Sequence, residues 1–286
     1  MKQSSIFSKY TLALILLLAA GSRLSASPEK ELPKGHLVII GGGELTDGIM
    51  EKIISLGGGR KDARILIVPF ARPITEDVGP RHKKKFENAG CEHVDLILAP
   101  REEIDRTENL SKLNAVTVVF FSGGDQKLLA AHLNGTKFLE KIHRIYESGG
   151  VVSGTSAGAA VMSKTMLAGG HAKVPKDKNA NTYGVIEKED VNLKPGFGFL
   201  PDNIVIHQHF IVRKRLPSLF SALLDRPDLK GVGIDESTAI VFDPQENRFE
   251  VIGESGVMVI DTEKNEDKKP PSFKVVLLSA GDIYQL

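Results

Sequence analysis

The sequence predicts an α/β fold built on a doubly wound, mostly parallel sheet. Continuous apolar runs rich in β-branched residues alternate with helical patterns, and glycine clusters follow directly after several of the runs. Continuous apolar runs indicate strands that are buried on both faces, and their alternation with helices indicates parallel pairing. Because ligands bind beyond the carboxyl ends of such strands, the glycine clusters mark the edge of the sheet where a site is expected.

The individual elements follow from the hydrophobic pattern. The predicted strands of the parallel sheet are residues 37–40, 64–70, 94–98, 115–121 and 150–153. The predicted helices are residues 48–56, 76–88, 126–133 and 136–148, and the run 203–206 predicts a further strand. Over residues 239–286 short apolar runs alternate with turn signals, which predicts a small antiparallel β extension packed on the main sheet.

Residues 1–27 have the organisation of a secretory signal peptide. Lys2 and Lys9 precede the apolar run 10–20, and small residues follow that run. The run is shorter than a membrane-spanning helix, so we expect no stable membrane insertion. The chain is therefore predicted to be secreted or periplasmic, with residues 28–286 as a single domain. Its only cysteine, Cys91, is predicted to be a small buried hydrophobe, and a single thiol excludes an internal disulfide.

Composition and spacing argue against several partners. The formal net charge of +1 and the absence of tryptophan argue against nucleic acid. Gly41, Gly42 and Gly43 follow the first predicted strand but lack the spacing of dinucleotide-binding and phosphate-binding loops. The pair His207 and His209 lacks a third ligand at zinc-site spacing. We therefore predict neither a cofactor nor a metal.

The segment 151–160 contains the pattern G-x-S-x-G between an apolar run and small helix-forming residues. A strand that turns sharply into a helix at this pattern presents the central side chain, here Ser156, as a nucleophile. The backbone N–H of Ala157 is then aimed at a developing oxyanion. Gly123 and Gly124 follow the preceding strand, and spacing allows them to be either the second half of the oxyanion hole or an ordinary strand-to-helix turn.

A nucleophilic serine needs a base and a carboxylate that orients it. His207 and His209 both follow the apolar run 203–206, and strand alternation places them on the same side, so the pattern does not choose between them. Asp235 and Glu236 follow another apolar run and are candidate acids. Other candidate acids are Glu187, Glu189 and Asp190.

Five motifs in order resemble the cyanophycinase branch of the S51 serine peptidases, relatives of aspartyl dipeptidase (peptidase E). They are Gly123-Gly124-Asp125-Gln126, Gly154-Thr155-Ser156-Ala157-Gly158, Gly196-Phe197-Gly198-Phe199-Leu200, Gln208-His209-Phe210 with Arg213 and Arg215, and Gly233-Ile234-Asp235-Glu236. The resemblance implies a fold like that of class I glutamine amidotransferases, a flavodoxin-like sandwich. It also implies Ser156 as nucleophile and His209 as base, with Glu236 favoured as the acid over Glu187 or Glu189. Gly124 and Ala157 would form the oxyanion hole.

The same resemblance implies cleavage of a peptide or isopeptide bond beside an aspartate. The residues expected to bind the acidic substrate are Gln126, Gln208, Arg213 and Arg215. The chain departs from the family pattern in three places. His207 stands where an aspartate is usual, Pro217 and Ser218 stand where a third arginine would fall, and the segment 166–192 is longer than usual. These departures predict a pocket that differs from that of typical members.

Three alternatives to a cyanophycinase-type hydrolase are kept. The first is an aspartyl dipeptidase of the peptidase E kind, and the second is a non-catalytic protein that holds an acidic peptide in the same crevice. The third is an α/β-hydrolase esterase, in which the acid precedes the histidine in the chain, whereas Glu236 follows His209. Association into a homodimer stays open.

Overall fold

The computed structural model describes residues 31–73, 77–171, 186–263 and 271–286. The predicted signal peptide at residues 1–27 lies outside these ranges. Residues 32–286 group into one compact unit. None of the helices in the described ranges has the length and apolar character that crossing a membrane requires.

A run of five parallel strands forms the centre of the main sheet. They are β1 (His36–Ile40), β2 (Arg64–Val68), β3 (His93–Leu96), β4 (Val118–Phe121) and β5 (Val151–Thr155). Across the sheet they lie in the order β1-β5-β4-β2-β3 with parallel pairing throughout. The helices between them are α1 (Asp47–Leu56), α2 (Val78–Asn88), α3 (Thr107–Ser111), α4 (Gln126–Leu133) and α5 (Lys137–Glu147). This arrangement confirms the predicted α/β fold.

Helices cover both faces of this sheet. Since successive strand residues point to opposite sides, each strand packs against both helical layers. Val38 and Phe120 pack in one cluster with Phe86 of α2, whereas Leu37 and Phe121 pack in another, which includes residues of α4 and α5. The strands are therefore buried on both faces, as their uninterrupted apolar runs predicted. Cys91 lies in the first cluster, where burial raises the pKa of its thiol.

The second half of the chain adds strands to the main sheet and forms a second sheet. Its elements are α6 (Ala157–Ala160), β6 (Thr165–His171), β7 (Val191–Pro195), β8 (Ile204–Gln208), α7 (Leu216–Asp225), β9 (Lys230–Ile234), β10 (Thr238–Asp243), β11 (Arg248–Gly253), β12 (Val257–Glu263), β13 (Ser272–Leu278) and β14 (Ile283–Gln285). In the described residues, β10, β11 and β14 extend the main sheet antiparallel beyond β1, β13-β12-β9-β8 form the second sheet, and β6 pairs with β7.

The predicted antiparallel extension is thus divided between two sheets. The turn after β9 sends β10 back along β1, where Ile240 pairs with Ile39. β12 instead pairs with β9, so that Val259 faces Val232 across an antiparallel ladder. The second sheet therefore includes the predicted strand at 203–206, as β8. Its packing against α7 buries Leu219 and Leu223 with Val205.

Candidate active site

Ser156 lies on a sharp turn between β5 and α6. Its backbone has φ 54° and ψ −110°, a conformation that L-residues rarely adopt. Glycines flank the turn because the strand and helix pass closely: a Cβ at Gly154 would lie 2.6 Å from the oxygen of Gly158, and a Cβ at Gly158 would lie 2.4 Å from the oxygen of Phe121. The amide of Ser156 donates to the carbonyl of Ile40 at 3.0 Å. The turn is the nucleophile elbow that the pattern predicted.

His209 reaches Ser156 from the end of β8, with 2.8 Å between Nε2 and Oγ. Its backbone φ of 48° ends the strand, and its amide donates to the carbonyl of Gly41 at 2.7 Å. The positive φ breaks the alternation that would have placed both histidines on one side of the strand. The imidazole is buried apart from a small exposed fraction.

Glu236 occupies the other side of the imidazole. Its Oε1 accepts a hydrogen bond from Nδ1 of His209. With Nδ1 carrying the proton, the neutral ring offers the Nε2 lone pair to Ser156, which is the tautomer that a general base requires. Among the candidate acids, Glu187 and Glu189 belong to a segment whose amides bond to α7 instead, at Ser221 and Asp225.

Asp235, the other candidate acid of this motif, supports the backbone beside the base. One of its carboxylate oxygens accepts from the amides of Ile211 and Val212 at 3.0 and 3.1 Å. The other accepts from the hydroxyl of Ser255 at 2.9 Å. Asp235 therefore holds the turn that follows His209 and leaves the contact with the imidazole to Glu236.

The glycine run after β1 is a part of the site to which the sequence argument gave no role. A Cβ on Gly42 would lie 2.2 Å from Cε1 of His209, and one on Gly43 would lie 2.7 Å from Cβ of Glu236. Gly42 has φ +113° and Gly43 has φ +71°. The loop lies directly against the base and the acid, so it needs residues without side chains. The sequence contained one signal for this role, which is the position of the glycine run at the end of a strand, where the sites of such sheets lie.

The predicted oxyanion donors belong to two segments next to the serine. Ala157 is the first residue of α6, where backbone N–H groups have no partner within the helix. A Cβ on Gly123 would lie 3.3 Å from Cβ of Ser156, so the peptide that joins Gly123 to Gly124 borders the nucleophile. Gly124 itself has φ +152° and packs against the carbonyl of Ala71, where a Cβ would lie at 2.2 Å.

The predicted substrate-binding residues differ in how far they are buried. Arg213 is half exposed, and its Nε lies 3.7 Å from Oε1 of Glu236. Arg215 is partly buried and donates through one guanidinium nitrogen to both the backbone oxygen and the side-chain oxygen of Gln208. Gln126 is buried at the start of α4, where its Nε2 donates to the carbonyl of Leu167 at 2.7 Å. Among these residues, Arg213 thus forms an ion pair with Glu236, and Gln208 directly precedes His209 in the chain.

His207 lies away from the serine. It is buried, and its Nε2 lies 2.8 Å from the hydroxyl of Ser218 on α7. Burial lowers the pKa of His207 to about 3, with a further contribution from Arg215. It is thus a neutral structural side chain. The structure distinguishes the two histidines where strand periodicity could not. Within the described residues, no group of three or more potential ligands could hold a metal ion.

The pKa of His209 predicts an acidic limit of activity below pH 6.5. Burial lowers this pKa from its ordinary 6.5, and Arg213 lowers it further, while the hydrogen bond that His209 donates to Glu236 raises it. Removing a nearby positive charge favours the imidazolium, so Arg213→Gln should move the acidic limb of kcat/KM to higher pH. The measurement is the pH profile from pH 4 to 9. Lys214→Asn, at a neighbouring position with positive φ, is the control; a limb that stays in place or moves to lower pH would contradict the prediction.

Two histidines with lowered pKa values, the partly buried His82 and the buried His207, predict acid lability of the fold. Burial lowers the pKa of His82 to about 4 and that of His207 to about 3. Since the unfolded chain takes up these protons at higher pH, the contribution to stability is complete above about pH 6.5 and is lost progressively towards pH 3. Urea denaturation should give a lower free energy of unfolding at pH 4 than at pH 7. This difference should be smaller in His82→Gln than in the wild type. The exposed His93→Gln is the control, and equal pH dependence in all three proteins would refute the assignment.

A hydrogen-bonded serine and histidine on the elbow of a mainly parallel α/β sheet define a serine hydrolase. A model of peptidase family S51 matches residues 37–250. The chain belongs to this family, as its motifs predicted, and it is a serine peptidase homologous to cyanophycinases.

Individual relatives agree with this assignment. The chain is 32% identical over 269 residues to a cyanophycinase from Synechococcus elongatus, across 88% of this chain and 80% of that protein. It is 31% identical over 268 residues to a cyanophycinase from Trichormus variabilis, across 88% and 86% of the two chains.

Two crystal structures show the same fold. A peptidase from an acI-B1 Actinobacterium matches with a TM-score of 0.62 and 22% identity, over 89% of this chain and 98% of that one. A peptidase E-like protein from Listeria monocytogenes EGD-e matches with a TM-score of 0.51 and 16% identity, over 79% and 100%. The predicted likeness to peptidase E and to class I glutamine amidotransferases is therefore confirmed at the level of the fold.

Proposed function

We propose that this protein is an exported serine peptidase of the cyanophycinase type that cleaves a peptide or isopeptide bond next to an aspartate. The observation that carries the proposal is the chain of hydrogen bonds from Ser156 through His209 to Glu236, with 2.8 Å between Oγ and Nε2. The relatives named cyanophycinase support the substrate class. The signal-peptide pattern of residues 1–27 supports export.

In the first half of the proposed reaction, the Nε2 atom of His209 accepts the proton of Ser156 as Oγ attacks the substrate carbonyl. The carboxylate of Glu236 stabilises the imidazolium that forms. The backbone N–H groups of Gly124 and Ala157 donate to the oxyanion of the tetrahedral intermediate. The bond to the leaving nitrogen then breaks, and that nitrogen takes the proton from His209.

The second half returns the enzyme to its starting state. Water loses a proton to His209 as its oxygen attacks the acyl carbonyl on Ser156. The ester bond breaks, and Ser156 recovers the proton from His209. The aspartyl product leaves with a new carboxylate, and the protonation states of all three side chains are the same as before the reaction.

The substrate's carboxylate is proposed to bind on the arginine side of the site. Arg213 lies at the rim beside Glu236, and Arg215 lies deeper with Gln208. A guanidinium group binds a carboxylate through two parallel hydrogen bonds, which fixes its orientation as well as its charge. Gln126 is included among the binding residues on the family resemblance alone, because its amide nitrogen is bonded to Leu167.

Labelling with a serine-directed fluorophosphonate tests the nucleophile. The wild-type protein should carry the label on Ser156, and Ser156→Ala should not be labelled. Ser153→Ala is the matched control, since Ser153 lies in the same strand but is buried and bonded to the carbonyl of Val38. An unlabelled wild type, or equal labelling of Ser156→Ala, would refute the proposal.

A substrate screen tests the specificity. Cyanophycin and a set of α-aspartyl and β-aspartyl dipeptides are incubated with the wild type and with Ser156→Ala. We expect hydrolysis beside aspartate by the wild type alone. Binding without hydrolysis would favour the non-catalytic alternative, and hydrolysis of p-nitrophenyl esters alone would favour the esterase.

A further inference from the structure

Two of the departures from the family pattern contact each other. His207 is the penultimate residue of β8 and Ser218 lies in the first turn of α7, and 2.8 Å separates Nε2 of the imidazole from the hydroxyl oxygen. The imidazole is only 6% exposed and packs beside the ring of Phe210, with 6.1 Å between the ring centroids. Neither residue touches Ser156, so the catalytic group does not account for the pair.

The direction of this hydrogen bond follows from proton counting. The hydroxyl of Ser218 donates its single hydrogen to the carbonyl oxygen of Arg215 at 2.9 Å. Its oxygen can therefore only accept from the imidazole, so Nε2 of His207 carries the hydrogen. The result is a directed chain from His207 through Ser218 to the backbone of Arg215.

That chain ends at Arg215, which is bonded to the end of β8 and to the residues that follow it. The amide of Arg215 donates to the carbonyl of Phe210 at 2.8 Å, and its guanidinium bonds to both oxygens of Gln208. Gln208 precedes His209 in the chain and is 3% exposed. The position of Arg215 thus depends on the start of α7 being held against the end of β8, which is what the His207 to Ser218 hydrogen bond does.

We propose that His207 and Ser218 are coupled positioning residues that hold Arg215 and Gln208 in place to bind a carboxylate of the substrate. The identity of the substrate as a carboxylate-bearing aspartyl peptide rests on the function proposed above. The pair acts on substrate affinity and leaves the reacting groups unchanged.

Binding to an inactive background tests the pair without turnover. In Ser156→Ala protein, the Kd of a β-aspartyl dipeptide is measured by calorimetry after adding His207→Ala, Ser218→Ala or both. Each single change should weaken binding about tenfold, and the double change should be little worse than either, because both remove the same hydrogen-bonded chain. His207→Gln keeps an N–H donor and should retain most of the affinity.

The control is His143→Ala, which removes a partly buried histidine whose Nε2 bonds to the backbone carbonyl of Phe197. It should leave the Kd unchanged. In the active protein, His207→Ala should raise KM while kcat and the rate of fluorophosphonate labelling at Ser156 stay near wild type. A purely structural role would lower kcat and the labelling rate as well, together with thermal stability.

The outcomes separate the two proposals. Unchanged affinity in the variants, or additive losses in the double variant, would overturn the positioning role while leaving the proposed function intact. If the Ser156→Ala protein binds no aspartyl dipeptide and the wild type hydrolyses none, the proposed substrate and the positioning role both fall.

Discussion

Replacing Glu236 with glutamine should lower kcat by about 10⁴-fold without unfolding the protein. The amide of glutamine can donate to Nδ1 of His209, which would place the proton on Nε2 and remove the lone pair that faces Ser156. The side chain is partly exposed, so the loss of its charge should cost little stability. The measurement is kcat for the best aspartyl substrate, together with thermal denaturation of both proteins.

The same experiment decides among the three glutamates considered for the acid. Glu187→Gln and Glu189→Gln change the same chemical group in the segment that bonds to α7. Both should keep kcat within a few-fold of wild type. If either of them lost activity as Glu236→Gln is expected to, or if Glu236→Gln remained active, the assignment of the acid would be wrong.

The parallel α/β fold was predictable because the apolar pattern of each central strand indicates by itself that the strand is buried on both faces. Val118–Phe121 of β4 and Ile65–Val68 of β2 form uninterrupted apolar runs, and these can be buried on both faces only in a sheet covered by helices on either side. The division of the last strands between two sheets was not predictable in the same way. β10 and β12 have similar patterns, and the choice of partner depends on packing between distant segments.

The elbow of the site was predictable for a similar local reason. The spacing of Gly154, Ser156 and Gly158 reports a close approach of strand and helix, which the structure contains. The choice between His207 and His209 as the base depends on a backbone angle, which the sequence does not give. The φ of 48° at His209 turns that side chain out of the strand's alternation, and because both candidates are histidines, residue preference does not choose between them.

The contact between His207 and Ser218 also could not be predicted from the sequence. Each position was visible as a departure from the family pattern, but ten residues separate them in the chain. Only the packing of α7 on β8 shows that the two departures form one hydrogen-bonded pair. A change of one without the other would leave a buried polar group without its partner, at a cost in stability.

Replacing Gly42 with alanine should lower kcat by about 100-fold or more, because it displaces the base. The new Cβ would lie 2.2 Å from Cε1 and 2.5 Å from Nε2 of His209. The ring cannot yield without breaking a contact, since Ser156 holds it on one side and Glu236 on the other. The φ of +113° adds backbone strain of about 1–3 kcal/mol. The rate of fluorophosphonate labelling at Ser156 measures the displacement directly.

Gly48→Ala separates this effect from the general consequences of a methyl group. A Cβ at Gly48 would meet no atom within 4 Å, and the residue lies inside α1. The change should leave labelling unaltered and stabilise the helix by about 0.5–1 kcal/mol. Thermal denaturation of Gly42→Ala shows whether the variant is folded. A folded Gly42→Ala protein that labels at the wild-type rate would mean that the glycine loop does not limit the position of the base, and that its close contact with His209 is relieved by movement of the loop.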